Sequence, residues 1–60
     1  MNIAIYYKDH STKNIDNCYG ILEFKEKNMT QIMFESTPGV YNAVNVQKDE
    51  IARIHIKGEH

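Results

Sequence analysis

The sequence lacks the residues that small proteins use as staples. Cys18 is the only cysteine, so no disulfide can close within the chain. A single unpaired thiol suits a reducing compartment better than a secreted one. A structural zinc site normally takes four ligands. Cys18 with His10, His55 and His60 would just reach that number, but their spacing matches no finger or ribbon. Gly20, Gly39 and Gly58 are isolated from one another, and none opens a helix, so no Gly-rich phosphate loop is present. No apolar run approaches the roughly 20 residues that span a bilayer. The N-terminus has neither a basic start nor a long apolar stretch, so it does not read as a signal peptide. The expected location is the cytoplasm. Charge of one sign is also missing. Seven basic residues are scattered among eight acidic ones, giving a net charge of −1 and a pI near 6.2. A nucleic-acid binder usually carries a basic patch that attracts phosphates, and none is visible. An acidic mimic of DNA is equally unsupported.

The composition itself is that of a folded protein: 42% hydrophobic and 25% charged, which argues against disorder. Sixty residues make one domain, 1–60. A chain of that length buries a modest share of its surface. With no disulfide and no recognisable metal site, oligomerisation is the staple to look for first.

Five apolar segments alternate with polar or turn-forming clusters. β-Branched and aromatic residues dominate residues 2–8, which predicts a strand. Residues 9–17 are rich in Asp, Asn, Ser and Thr, whose side chains bond nearby backbone and favour turns, so they read as a loop. Strands are predicted over residues 18–25, 29–36, 40–46 and 51–57, with a hairpin turn at 26–28. Pro38 and Gly39 mark the clearest turn, because Pro pre-sets φ at the first central position and Gly tolerates positive φ at the next. Residues 48–53 have helix propensity, yet Ala52, Ile54 and Ile56 alternate with Arg53, His55 and Lys57, which is strand periodicity. The predicted fold is all-β. It is a five-stranded antiparallel meander forming a small barrel or a strongly twisted sheet, with an α+β fold carrying a short C-terminal helix as the alternative.

One face of this sheet collects Ile3, Ile5, Leu22, Phe24, Ile32, Phe34, Val44, Ile54 and Ile56 as a core. The other face then carries Tyr6, Ile21, Met29 and Met33, with Tyr19 nearby, and the all-β reading leaves no helix to cover it. Exposed apolar patches usually mark contact sites. Tyr is enriched at interface anchors and Met adapts to varied surfaces. Tyr6, Tyr19, Ile21, Met29 and Met33 are therefore the candidate interface. A second copy is the simplest partner, since most oligomers are symmetric homodimers, and a larger protein is the other. The competing reading packs these residues under the 9–17 loop or a C-terminal helix.

Chemistry-bearing groups are sparse. Cys18 and His10 could pair as thiolate and base, but Cys18 reads more simply as a small buried hydrophobe and His10 as a loop residue. Asp9, His10, His55 and His60 could gather a metal, yet His55 falls on the polar face of its strand and His60 is terminal. Glu23, Glu26 and Glu35 alternate with Lys25 and Lys27, which suits charge pairs on a wet surface. No catalytic residue, metal, cofactor or small-molecule substrate is expected. Tyr6, Tyr7, Tyr19 and Tyr41, flanked by Lys8, Lys25 and Lys57, could stack single-stranded nucleic acid. The acids are at least as numerous as the bases, which leaves that alternative without its electrostatic half.

The opening Ile3-Ala4-Ile5-Tyr6-Tyr7-Lys8 and the closing Asp49-Glu50-Ile51-Ala52-Arg53-Ile54-His55-Ile56 resemble the two ends of short proteins encoded by phages and mobile elements of Gram-positive bacteria. The resemblance implies a compact β protein that acts by binding, with a host protein it modulates as the partner. It carries over no functional residue.

Overall fold

Apolar, β-branched and aromatic residues set the strands, and polar residues that accept left-handed backbone set the turns between them. The computed structural model describes residues 1–58. Its strands in chain order are β1 (Asn2–Tyr7), β2 (Thr12–Ile15), β3 (Cys18–Phe24), β4 (Met29–Thr37), β5 (Val40–Gln47) and β6 (Ile51–Lys57). They form two antiparallel sheets, with β1 between β2 and β6 in the first and β4 between β3 and β5 in the second. The protein is all-β, as expected. It has six strands instead of five, and the two sheets do not join into a closed barrel. Nor is it a simple meander, because β6 returns to pair with β1 from Asn2↔Lys57 to Tyr7↔Ile51.

The additional strand lies inside residues 9–17. Asp9 accepts hydrogen bonds from the amide of Ser11 at 2.9 Å and from its hydroxyl. His10 takes a left-handed φ of 74°, and the Tyr7 amide donates to the Ser11 carbonyl at 2.9 Å. The turn is therefore complete by Ser11, which frees Thr12–Ile15 to pair with β1. Asn17, at φ 58°, makes the corner between the sheets. Its amide donates to Asn2 Oδ1 at 3.3 Å and its carbonyl accepts from the Glu35 amide at 3.0 Å, so the corner is tied to both sheets. The Pro38-Gly39 turn forms as predicted, with Gly39 at φ 84° and its amide donating to Glu35 Oε2 at 2.7 Å. Residues 48–57 combine a single 3-10 turn, Lys48–Glu50, with strand β6. Among the described residues the C-terminal helix of the alternative fold does not occur.

The core lies between the sheets. Ile3, Ile5 and Ile15 from the first meet Cys18, Ile32 and Val46 from the second, and Tyr7, Ile21, Phe34, Val44, Ile51 and Ile54 pack around them. Three expected core residues are exposed instead: Leu22, Phe24 and Ile56. For Leu22 and Phe24 the cause is a register shift between Cys18 and Gly20, where Cys18 pairs with Phe34 but Gly20 pairs with Met33. Tyr19 is the extra residue of this bulge. Because side chains alternate, one inserted residue moves every later side chain to the opposite face. Cys18 and Ile21 both point inward as a result, and Leu22 and Phe24 point out. Ile56 shares the inner face with Ile3 but sits on an edge strand, beyond full cover by the second sheet.

Candidate interaction surface

The two outer faces differ in chemistry. On the first sheet, β1 shows Asn2, Ala4 and Tyr6 outward, flanked by Thr12 and Asn14 on β2 and by Arg53, His55 and Lys57 on β6. The Arg53 guanidinium lies 4.6 Å from the Tyr6 ring centroid. Lys57 Nζ donates to Asn14 Oδ1 at 3.2 Å, reaching across β1. Polar and charged side chains thus cover this face, and Ala4 is buried beneath them.

The outer face of the second sheet carries Gly20, Leu22 and Phe24 from β3, Met29, Gln31, Met33 and Glu35 from β4, and Tyr41, Ala43, Asn45 and Gln47 from β5. Its charges lie at its two ends: the Glu35 carboxylate, held by the Gly39 amide, and Lys27, whose Nζ lies 5.9 Å from the Phe24 ring centroid. The Tyr19 and Tyr41 rings meet edge to face, 5.6 Å between centroids, on strands that flank β4. Met33 lies over Gly20 so closely that a Cβ there would sit 2.7 Å from Met33 Cε. The glycine gives the thioether room to lie flat across β3. Tyr19 is 56% exposed, Leu22 46%, Phe24 36% and Tyr41 63%. At roughly 150–250 Å² for each fully exposed large side chain, these four alone present roughly 300–500 Å². That equals the largest patch of a typical monomer, which is often functional.

The expected interface residues are divided by the fold. Tyr19, Met29 and Met33 share the outer face of the second sheet. Ile21 pairs with Ile32 and faces the core. Tyr6 is on the outer face of the other sheet, beneath Arg53. Sequence reasoning missed Leu22, Phe24 and Tyr41. The bulge hid the first two, whereas Tyr41 was legible from alternation around the Pro38-Gly39 turn.

The chemistry-bearing groups are dispersed. Cys18 is a buried free thiol whose sulfur contacts the Gly20 carbonyl at 3.6 Å. His10 is in the exposed first turn and His55 is exposed on β6; His60 lies outside the described residues. Hydrogen bonds from the Ser11 hydroxyl and amide hold the Asp9 carboxyl below its ordinary range. Among the described residues no three His, Cys, Asp or Glu side chains gather at metal-binding spacing. Glu23 pairs with Lys48 at 2.9 Å, and this contact lowers the Glu23 pKa. The pair borders a cleft of about 270 Å³ between the edges of β3 and β6, with Thr30, Ile51 and Ile54 as its other walls. Among the described residues no helix is long and apolar enough to cross a membrane.

Comparison with known proteins finds no protein-family model, no curated protein and no solved structure that matches this chain.

Proposed function

We propose that this chain is a non-enzymatic protein–protein interaction module whose contact surface is the outer face of β3, β4 and β5. The observation that carries the reading is a broad face rich in Tyr, Met, Leu and Phe whose charges, Glu35 and Lys27, are confined to its ends, opposite a sheet whose outer face is polar and charged. Charged residues are depleted and aromatics and Met enriched at the cores of protein interfaces. The dispersal of Cys18, His10 and the acidic side chains supports binding over catalysis. The partner is a larger protein that this chain modulates. The similarity of its two ends to short phage and mobile-element proteins supports a host protein in that role.

The test uses tagged chain as bait in a lysate of the source organism, with Leu22→Lys and His55→Glu as paired variants. Leu22→Lys places a charge in the proposed face, and His55→Glu alters the opposite one. The expected result is a protein retained by wild type and by His55→Glu at high salt, and lost by Leu22→Lys. Nucleic acid captured at low salt and released at high salt would instead mean phosphate contacts, which release counterions. A partner held equally by wild type and Leu22→Lys would refute the assignment of the face.

A further inference from the structure

The four edge strands are not equally protected. An unpaired strand edge invites another strand, and proteins blunt it with charge, proline, bulges or short length. β2 is four residues long and carries Lys13; β3 carries Glu23 and the bulge at Tyr19; β6 carries Arg53, His55 and Lys57. β5 has none of these protections. It is eight residues long, pairs only with β4 among the described strands, and lies within residues 36–47, which contain no charged side chain. Val40 is 49% exposed at its start, next to the exposed Tyr41.

We infer that β5 pairs with β5 of a second copy, antiparallel about a two-fold axis at Ala43, to give a continuous six-stranded sheet. A two-fold axis makes each strand its partner's complement. Cross-strand neighbours share a face, so such an axis must pass through a residue position, and not between two. Centred on Ala43, the pairing uses residues 40–46 of both strands. It sets Val40 against Val46 of the second copy on the inner side and Tyr41 against Asn45 on the outer side. Ala43 meets its own copy at the axis, where two small side chains fit without conflict. The absence of charge along the edge removes the like-charge repulsion that self-pairing would otherwise bring.

The second copy takes the β5 edge and leaves the outer face open to the larger partner proposed above. Joining β5 to β5 also merges the two outer faces. The four large residues of one face supply roughly 300–500 Å², part of the roughly 800 Å² that each partner contributes to a standard interface. Two faces side by side double that contribution.

The test is solution mass by light scattering over a dilution series of the full chain, from about 1 mM to about 1 μM, for wild type, Ala43→Lys and Leu22→Lys. The wild-type mass should approach twice 7.0 kDa at high concentration. Ala43→Lys should stay at 7.0 kDa with an unchanged circular dichroism spectrum, and Leu22→Lys, on the far strand β3, should behave as wild type. A wild-type monomer throughout would overturn the inference. A monomeric Leu22→Lys would overturn it too, because it would place the contact on the face. Register is read separately by oxidation of single-cysteine substitutions, since native Cys18 is buried. Ala43→Cys should cross-link to itself, its copy being about 5 Å away between Cβ atoms. Asn45→Cys should not, because four residues of offset separate it from its copy by about 13 Å. A reversed result would overturn the Ala43 axis. Loss of lysate partners by Leu22→Lys with the dimer intact bears on the face alone, so the two readings fail separately.

Discussion

Ile21 and Leu22 are adjacent, and the bulge at Tyr19 decides which of them is inside. Replacing each by Asp in turn gives a sharp test of that assignment. Aspartate is a poor strand residue at either position, so the intrinsic strand penalty, about 1 kcal/mol at most, cancels in the comparison. At position 21 the carboxylate would sit opposite Ile32 in a partly buried position against the Ile3/Ile5 core. The cost is the lost apolar burial, about 2 kcal/mol, plus that of an unpaired polar or charged group, about 2–4 kcal/mol more. A 60-residue domain has a total stability of about 3–9 kcal/mol. Ile21→Asp should therefore lose about 4–6 kcal/mol, most of that stability. At position 22 the side chain is already half exposed, and the loss should be about 1–2 kcal/mol. With an m value near 1 kcal/mol/M, the urea midpoint of Leu22→Asp should fall by about 1–2 M, with a folded baseline retained. Urea titration followed by far-ultraviolet circular dichroism measures both. Equal losses, or a larger loss for Leu22→Asp, would refute the inverted face of β3.

Gly39→Ala should cost about 1–2 kcal/mol by thermal melting, because φ is 84° there and an L-residue pays for left-handed backbone. The space around it is open, so the strain is conformational. Glu23 is held below its ordinary pKa by Lys48, so its contribution is present above the ordinary carboxylate value and is lost as pH falls through the folded one. The acid-side drop in urea midpoint should be shallower for Glu23→Gln than for wild type, and weaker at high salt, since the pair is exposed to screening. Cys18 is buried, so iodoacetamide at neutral pH should label it slowly in the native protein and quickly in urea. Equal rates would contradict its position in the core.

Strand content was legible because β-branched and aromatic residues cluster where strands form, and the boundaries of β6 in particular follow from the Ile-x-Ile alternation. β2 was not legible. Thr12–Ile15 offers a single buried apolar residue, and its strand character comes from pairing with β1 once Asp9 and Ser11 close the turn. Closure of the first sheet by β6 on β1 was equally hidden, because it joins the two ends of the chain and leaves no local signature. The candidate surface was half legible. Tyr19, Met29 and Met33 were found by asking what a second apolar face would do, but a one-residue bulge exchanged Ile21 for Leu22 and Phe24. Tyr6 was assigned outward correctly, but on the other sheet, because alternation fixes a side chain's face and not which sheet it belongs to. The uncharged edge of β5 was visible in the composition of residues 36–47. Only the topology shows that this stretch is an edge.

The proposed contact surface is the outer face of β3, β4 and β5. The most direct measurement is hydroxyl-radical footprinting of the chain alone and in its captured complex, because methionine and aromatic side chains react readily when exposed. Tyr19, Tyr41 and Met33 should be protected in the complex, with Tyr6 labelled as in the free chain. Protection at Tyr6 with Tyr19, Tyr41 and Met33 unchanged would contradict that assignment.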